Sequence, residues 1–458
     1  EMSASLVGSE MCIRDRVWWT VGGTPADDFD QAVSQISDYA EEKIGVRIDV
    51  KIAGWADYDT KMNNIINTGE YFDLMFVNNT NYTKFVNLNA LENITDLVQS
   101  ETPDLYNFIP ADLWEGAKIH GNVYAVPTYK DSSLTQFWML DDTYVQKYGI
   151  DVDSIKDYAS LNDALQTIKE GEGKSVYPMQ LAQGSTFNGF FNNYDGLASG
   201  LQPIGVKYDD ASRKVVCTLE QDDIMDGLNW LHKWYQDGII NPDANVVTDG
   251  GKGSIFGSAQ GWPAAATTWA FNQGIEKYDL TQVFGPLYTT ETIQGSMNAI
   301  SANSKYKTEA LKVLQLMNTD PKFRDMCAYG TEGNYMEYAE DGTVQKLRDD
   351  WNWPSYTQGT FFILSTQADG DPDAWNQVKE QNESATSSTC LGFALDVTNI
   401  QNEIANCNTV WDKYKNDLLT GASDPATAVP ACIEELKAAG LDTVIEEAQK
   451  QVDEFFAN

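Results

Sequence analysis

Histidine is nearly missing: the 458 residues contain two, His120 and His232. That removes the commonest general base and metal ligand from most of the chain. No GxSxG nucleophile elbow and no HExxH occurs, so esterase and zincin chemistry lack their signatures. The six cysteines, Cys12, Cys217, Cys327, Cys390, Cys407 and Cys432, form no CxxC and fit no zinc spacing. They are too few to build a fold from disulfides. A Cys407–Cys432 or Cys390–Cys407 bridge stays open beside buried free thiols. There is no apolar run of about 18 residues to span a bilayer. Basic residues are scarce as well: 31 Lys and Arg stand against 68 Asp and Glu, a net charge of −37. Phosphate backbones and anionic lipid repel such a chain, so no nucleic-acid partner is expected.

What the chain does have is aromatic weight, with 13 Trp, 22 Tyr and 18 Phe, and enough length for two or three units. Residues 117–145 organise it. They read as two short strands joined at Gly121-Asn122, a pair that tolerates a tight hairpin. The second, 123–126, runs into Pro127, which cannot donate to a ladder. Polar residues and a new apolar run, 137–140, follow. This is read as the crossover between two α/β lobes, flexing near Tyr124–Asp131, with a ligand cleft between them.

Upstream, residues 17–21 form a β-rich run ending in Gly22-Gly23. A helix follows with Phe29, Val33, Ile36, Ala40 and Ile44 on one face, closed by Gly45. Residues 46–52 alternate as a strand, Tyr58, Met62, Ile65 and Ile66 mark a helix, and 73–77 is a third strand. Alternating strand and helix predicts a parallel doubly wound sheet, in which ligands bind beyond the strands' carboxyl ends. Trp19, Thr20, Trp55, Asn78, Asn79 and Tyr82 occupy those ends. Flat rings beside amides suit a sugar, with its C–H faces and rim of hydroxyls, and equally serve as core filler.

Further along, helices are expected over 161–168, at 309–317 and from Asp320-Pro321. Another is expected across Ile224, Leu228, Leu231, Trp234 and Tyr235, with His232 exposed. Residues 183–196 read either as a ligand-facing loop or as a plain surface connection. Gly173-Lys174-Ser175 imitates a phosphate loop, but Ile168 stands where its first glycine belongs. Residues 369–380 place acids as a calcium loop would, yet Ala374 replaces the required glycine, so an Asp-Pro helix start is the better account. Trp262 and Trp269 flank small residues and join the candidate ligand set, as do Tyr129 and Asp131 at the crossover and Glu332 and Tyr335 in a glycine-rich loop. A terminal helix is expected to bury Leu441, Val444, Ile445, Ala448, Val452, Phe455 and Phe456, its other face being acidic.

The segments DLMFVNNTNYTKFVNLNALENITDLV, LWEGAKIHGNVYAVPTYKDSS and YGTEGNYMEY, in that order, resemble the solute-binding lipoproteins of bacterial ABC importers, in particular the sugar-type group of Gram-positive bacteria. The stretch from GFALDVTNIQNEIANCNTVWDKYKNDLLTG to the end is similar to a C-terminal extension of one branch. The resemblance implies an α/β, two-lobe type II periplasmic-binding-protein fold with an interlobe hinge. Lobe 1 would take 17–126 and 264–312; lobe 2 would take 127–263 and 313–458. It also implies an oligosaccharide ligand, ABC permease subunits as partners, a monomer, and no catalytic residue, cofactor or metal. Residues 11–16, MCIRDR, read as translated adaptor, so 1–16 are expected to be artefactual or disordered. The signal and lipid-bearing Cys are then expected in the full-length protein, anchored at the extracellular face of the membrane. The rival readings are a glycoside hydrolase and a peptide or amino-acid receptor.

Overall fold

The computed structural model describes residues 15–457. The fold is α/β and divides into two compact units: the chain up to Lys130 with Ile293–Trp375, and Asp131–Thr292 with Asn376–Asn458. The chain thus passes from one to the other three times, first at Lys130–Asp131, inside the stretch read as a crossover. Three expected ranges change sides, the shortest being 127–130, which stays with the first unit. Residues 264–292 belong to the second unit, because strand Tyr278–Tyr288 pairs with its strand Leu134–Asp141. Residues 313–375 belong to the first, because helix Pro321–Tyr329 sends Phe323 against Tyr39 and loop residue Trp351 packs on Phe29.

In the first unit β1 (Arg16–Val21), α1 (Phe29–Ile44), β2 (Ile48–Ala53), α2 (Trp55–Thr68) and β3 (Leu74–Val77) follow the expected alternation. Gly45 closes α1 at φ 69°, a backbone that costs glycine nothing. The sheet order is β2, β1, β3, Met297–Ile300, Ala125–Pro127. The first three strands are parallel, but Met297–Ile300 runs antiparallel to both neighbours, so the sheet is mixed rather than parallel. That strand enters after the chain has returned from the second unit, which frees it from the right-handed crossover that keeps β1 to β3 parallel. Pro127 sits on the sheet edge, where its missing N–H breaks no ladder. The hairpin joins Lys118–Ile119 to Asn122–Val123, and its turn is His120-Gly121, with φ 50° and 78°, one step before the expected pair. Arg16 opens β1, its guanidinium 3.7 Å above the Tyr306 ring, whereas Cys12 and residues 1–14 lie outside the described residues.

The second unit has a sheet of Phe256–Gln260, Leu134–Asp141, Tyr278–Tyr288 and Thr386–Ser387. Helices Tyr158–Glu172 and Asp222–Gln236 share one core with the last three, Gln401–Leu419, Pro425–Ala439 and Leu441–Phe456. The C-terminal extension is therefore part of this core and not an appendage. On the terminal helix Leu441, Val444, Ala448 and Val452 are buried, while Ile445 and Phe456 are half-buried and Phe455 is exposed: the buried stripe is narrower than expected. His232 is not free either. It is half-buried, with Nδ1 2.8 Å from the Gly421 carbonyl. Cys217, Cys327, Cys390, Cys407 and Cys432 are all buried and unbridged. Helix Ala374–Ser384 begins after Asp371-Pro372, as an Asp-Pro start requires. Among the described residues no helix is long and apolar enough to cross a membrane.

Candidate functional site

In the first unit side chains reach solvent just past the carboxyl end of β2, whereas Thr20 and Val21 at the end of β1 are completely buried. Gly22, just past β1, has to be glycine: a Cβ there would lie 2.2 Å from the Asn352 carbonyl oxygen. Trp55, the first residue of α2, is 52% exposed. Its ring meets Phe76 edge-on at 5.8 Å and lies 15° from parallel with Tyr356 at 6.4 Å. Tyr356 is itself 43% exposed and escaped the sequence reading. Its aromatic, Pro- and Gly-punctuated surroundings, WNWPSYTQGTFF, were the available signal.

Strand alternation sends Trp18 fully inside, where its Nε1 donates to Asn298 Oδ1 at 3.1 Å, and leaves Trp19 half-buried under Lys61, whose Nζ is 5.1 Å from the ring. Thr20 is completely buried, and its hydroxyl finds no hydrogen-bond partner among the described residues. Asn78 ends β3 in a local turn: its Oδ1 accepts from Thr80 N and Oγ1 at 3.0 and 2.6 Å. Asn79 beside it is half-buried. Tyr82 is a core residue, its hydroxyl donating to the Ala117 carbonyl and accepting from the Tyr124 amide. Tyr129 is buried too, edge-on to Phe108 and Phe362.

Tyr335 also turns inward. Its hydroxyl donates to Asp28 Oδ1 at 2.5 Å, and Arg348 grips both carboxylate oxygens at 2.8 and 3.1 Å. Arg348, Tyr335 and Asn334 together hold the Asp28 carboxyl well below the usual range, and burial, with Asp28 adding, pushes Tyr335 up to about 12. Glu332, in the same loop, is exposed. Thr20, Tyr82 and Tyr335 are thus turned inward, and Trp55 is the most exposed of the aromatic candidates in this unit.

The second unit contributes a different surface. Gln136, near the start of strand Leu134–Asp141 and 2% exposed, donates through Nε2 to Ser258 Oγ at 2.8 Å and Asn188 Oδ1 at 3.1 Å, and accepts from Asn192 Nδ2 at 3.2 Å. These contacts pin the 184–192 loop. Gly189, at φ 83°, passes so close that a Cβ would lie 2.6 Å from Gln136 Cδ. One side of the loop opens on a cavity of about 370 Å³ lined by Ser185, Thr186, Asn188, Asn192, Gln202 and Ser258, with Phe187 and Phe190, and by no charged side chain. A neighbouring one, about 250 Å³, adds Trp138, Tyr158 and Lys156, whose Nζ reaches Thr281 Oγ1 at 3.3 Å. Of the earlier candidates, Asp131, Trp262 and Trp269 are half-buried, and Trp269 lies 6.3 Å from the Phe137 ring. The sequence reading covers Asn188 and Asn192 only as part of the 183–196 loop and does not single out Gln136 or Ser258. Among the described residues no three His, Cys, Asp or Glu side chains gather as a metal site.

The family described as bacterial extracellular solute-binding protein matches residues 34–347, and a domain of unknown function (DUF3502) matches 389–457. A carbohydrate ABC transporter substrate-binding protein of Streptococcus pneumoniae serotype 4 is 28% identical over 455 residues, covering 96% of this chain and 90% of its own. The crystal structure of the N-glycan transport solute binding protein (NgtS) from Streptococcus pneumoniae is similar with a TM-score of 0.85 and 27% identity, over 97% of this chain and 99% of that one. The same protein in complex with Man5GlcNAc gives 0.70 at 27% identity, over 97% and 98%. The chain belongs to the bacterial extracellular solute-binding proteins.

Proposed function

We propose that this protein is the substrate-binding component of a carbohydrate ABC importer. It captures a neutral oligosaccharide outside the cell and hands it, chemically unchanged, to a membrane permease. The observation that carries this is the uncharged lining of the 370 Å³ cavity, hydroxyls and carboxamides beside phenyl rings. Sugar hydroxyls both donate and accept, as carboxamides and Ser or Thr hydroxyls do, and ring faces cover C–H surface. A receptor for amino acids or peptides would need a charged clamp in that place. The likeness to relatives named for carbohydrate and N-glycan transport supports the same reading. Tethering through a lipid on an N-terminal Cys, action as a monomer and the absence of catalysis complete the proposal; they rest on kinship with importer lipoproteins.

A micromolar ligand requires about 8 kcal/mol net, within reach of a stacked ring and several hydroxyl bonds in a partly dried site. The test is a thermal-shift screen with Man5GlcNAc, malto-oligosaccharides, amino acids and short peptides. Calorimetry and chromatography of the incubated sugar then follow. Saturable sugar binding with the sugar recovered intact is expected. Binding of peptides alone would overturn the reading, and so would hydrolysis products.

A further inference from the structure

Arg324 is completely buried and makes no ion pair among the described residues; the buried Asp325 carboxylate acts on it only at a distance, and its guanidinium is solvated by one loop. Nε donates to the Thr360 carbonyl at 2.7 Å, Nη1 to Gln358 Oε1 at 2.8 Å, and Nη2 to the carbonyls of Ser355 at 2.9 Å and Gly359 at 3.1 Å. Two other buried side chains take the carbonyls in between. Ser296 Oγ donates to Tyr356 O at 2.7 Å, and Asn298 Nδ2 to Thr357 O at 3.0 Å and Gln358 O at 3.2 Å. Six successive carbonyls, 355 to 360, are thus held from inside. A run of backbone with little regular structure is fixed on three side chains, and its most exposed large ring is Tyr356, beside Trp55 just past the carboxyl end of β2.

We infer that Arg324 is a positioning residue that fixes the 355–360 loop so that Tyr356 and Trp55 form a preformed aromatic subsite for the C–H face of a neutral pyranose ring. This rests on the carbohydrate-binding reading above. Holding both rings before the ligand arrives lowers the ordering cost at binding. Burial without a direct ion pair couples the two parts: moving the loop away would strip the guanidinium of the four acceptors that solvate it. Burial lowers the Arg324 pKa only to about 10, so the group is cationic at neutral pH and needs those carbonyls throughout. Lysine cannot replace the planar fork that reaches four acceptors at once.

The experiment compares wild type with Arg324→Lys, Ser296→Ala, Tyr356→Ala and the Arg324→Lys/Tyr356→Ala pair. Calorimetry with Man5GlcNAc and hydrogen exchange of the 353–360 amides are both read. Arg324→Lys is expected to weaken the sugar at least tenfold and to speed exchange tenfold or more within 353–360. Ser296→Ala, the gentler variant, is expected to do the same to a smaller degree. In the Tyr356→Ala background, Arg324→Lys should cost no further affinity, because its effect runs through that ring; a residue of merely structural importance would add its full loss again. Sugar binding by wild type with equal affinity in Arg324→Lys, or unchanged exchange in both variants, overturns the inference and leaves the carrier reading standing. No sugar binding by wild type overturns both.

Discussion

Replacing Gln136 with leucine separates the second unit's carboxamide network from its apolar core. The side chain is almost fully buried, and leucine matches its bulk, so the change removes polar contacts without opening a large hole. Lost are the bonds to Ser258 Oγ, Asn188 Oδ1 and Asn192 Nδ2. At about 1 kcal/mol net for each, the sum is about 3 kcal/mol. Asn188 and Asn192 stand at the cavity rim and can turn to water, which brings the expected cost to roughly 2 kcal/mol. In a unit of about 250 residues that corresponds to a fall in Tm of about 4–8 °C. Differential scanning calorimetry reads it, and hydrogen exchange should localise the loosening to 184–193. Under the carbohydrate reading, the same variant should weaken Man5GlcNAc at least fivefold, because the hydroxyl-binding amides lose their orientation. A Tm within 1 °C of wild type with unchanged exchange would show that Gln136 does not organise this loop.

Thr20→Val is expected to leave sugar affinity unchanged and to raise Tm slightly, by about 0.5–1 kcal/mol of stability, because the buried hydroxyl has no partner to lose; calorimetry and titration check both halves. For Asp28, whose folded-state pKa is depressed first by Arg348 and then by Tyr335 and Asn334, the sign is fixed by linkage. Its contribution is complete above the unfolded carboxyl value near 3.9 and is lost as pH falls toward the folded value. The Tm gap between wild type and Asp28→Asn should therefore be constant from pH 7 to about 5 and shrink below about 4; a gap that widens in acid would refute the assignment. Charge supplies a last discriminator. The 370 Å³ cavity offers no cation and the chain carries −37, so a uronate oligosaccharide should bind at least tenfold more weakly than a neutral one of equal length, the deficit shrinking as salt rises.

The parts of the fold that were legible are those whose signal is local. The α1 stripe ends where Gly45 takes its positive φ, and Asp320 caps the helix that Pro321 opens, accepting from the Phe323 amide. Pairing across hundreds of residues leaves no such trace. Nothing near Met297–Ile300 says that it will run antiparallel between β3 and Ala125–Pro127, and nothing near Tyr278–Tyr288 says which unit will claim it.

The candidate site follows the same division, and for a sharper reason. A period of two announces that Trp18 and Trp19 face opposite ways, but both faces of a doubly covered sheet are apolar, so it does not say which ring meets solvent. Tyr82 and Tyr335 illustrate the converse. A tyrosine satisfied by a carbonyl or a distant aspartate has the same sequence neighbourhood as one that waits for a ligand, and only the partner distinguishes them. Arg324 is the extreme case. In PKFRDM it reads as an ordinary helical surface cation, and its burial becomes intelligible only when six carbonyls some thirty residues downstream come to rest around it, Ser296 and Asn298. Residues that shape a binding surface from behind are therefore the hardest to read from a chain, because what selects them is the backbone they hold and not the chemistry they display.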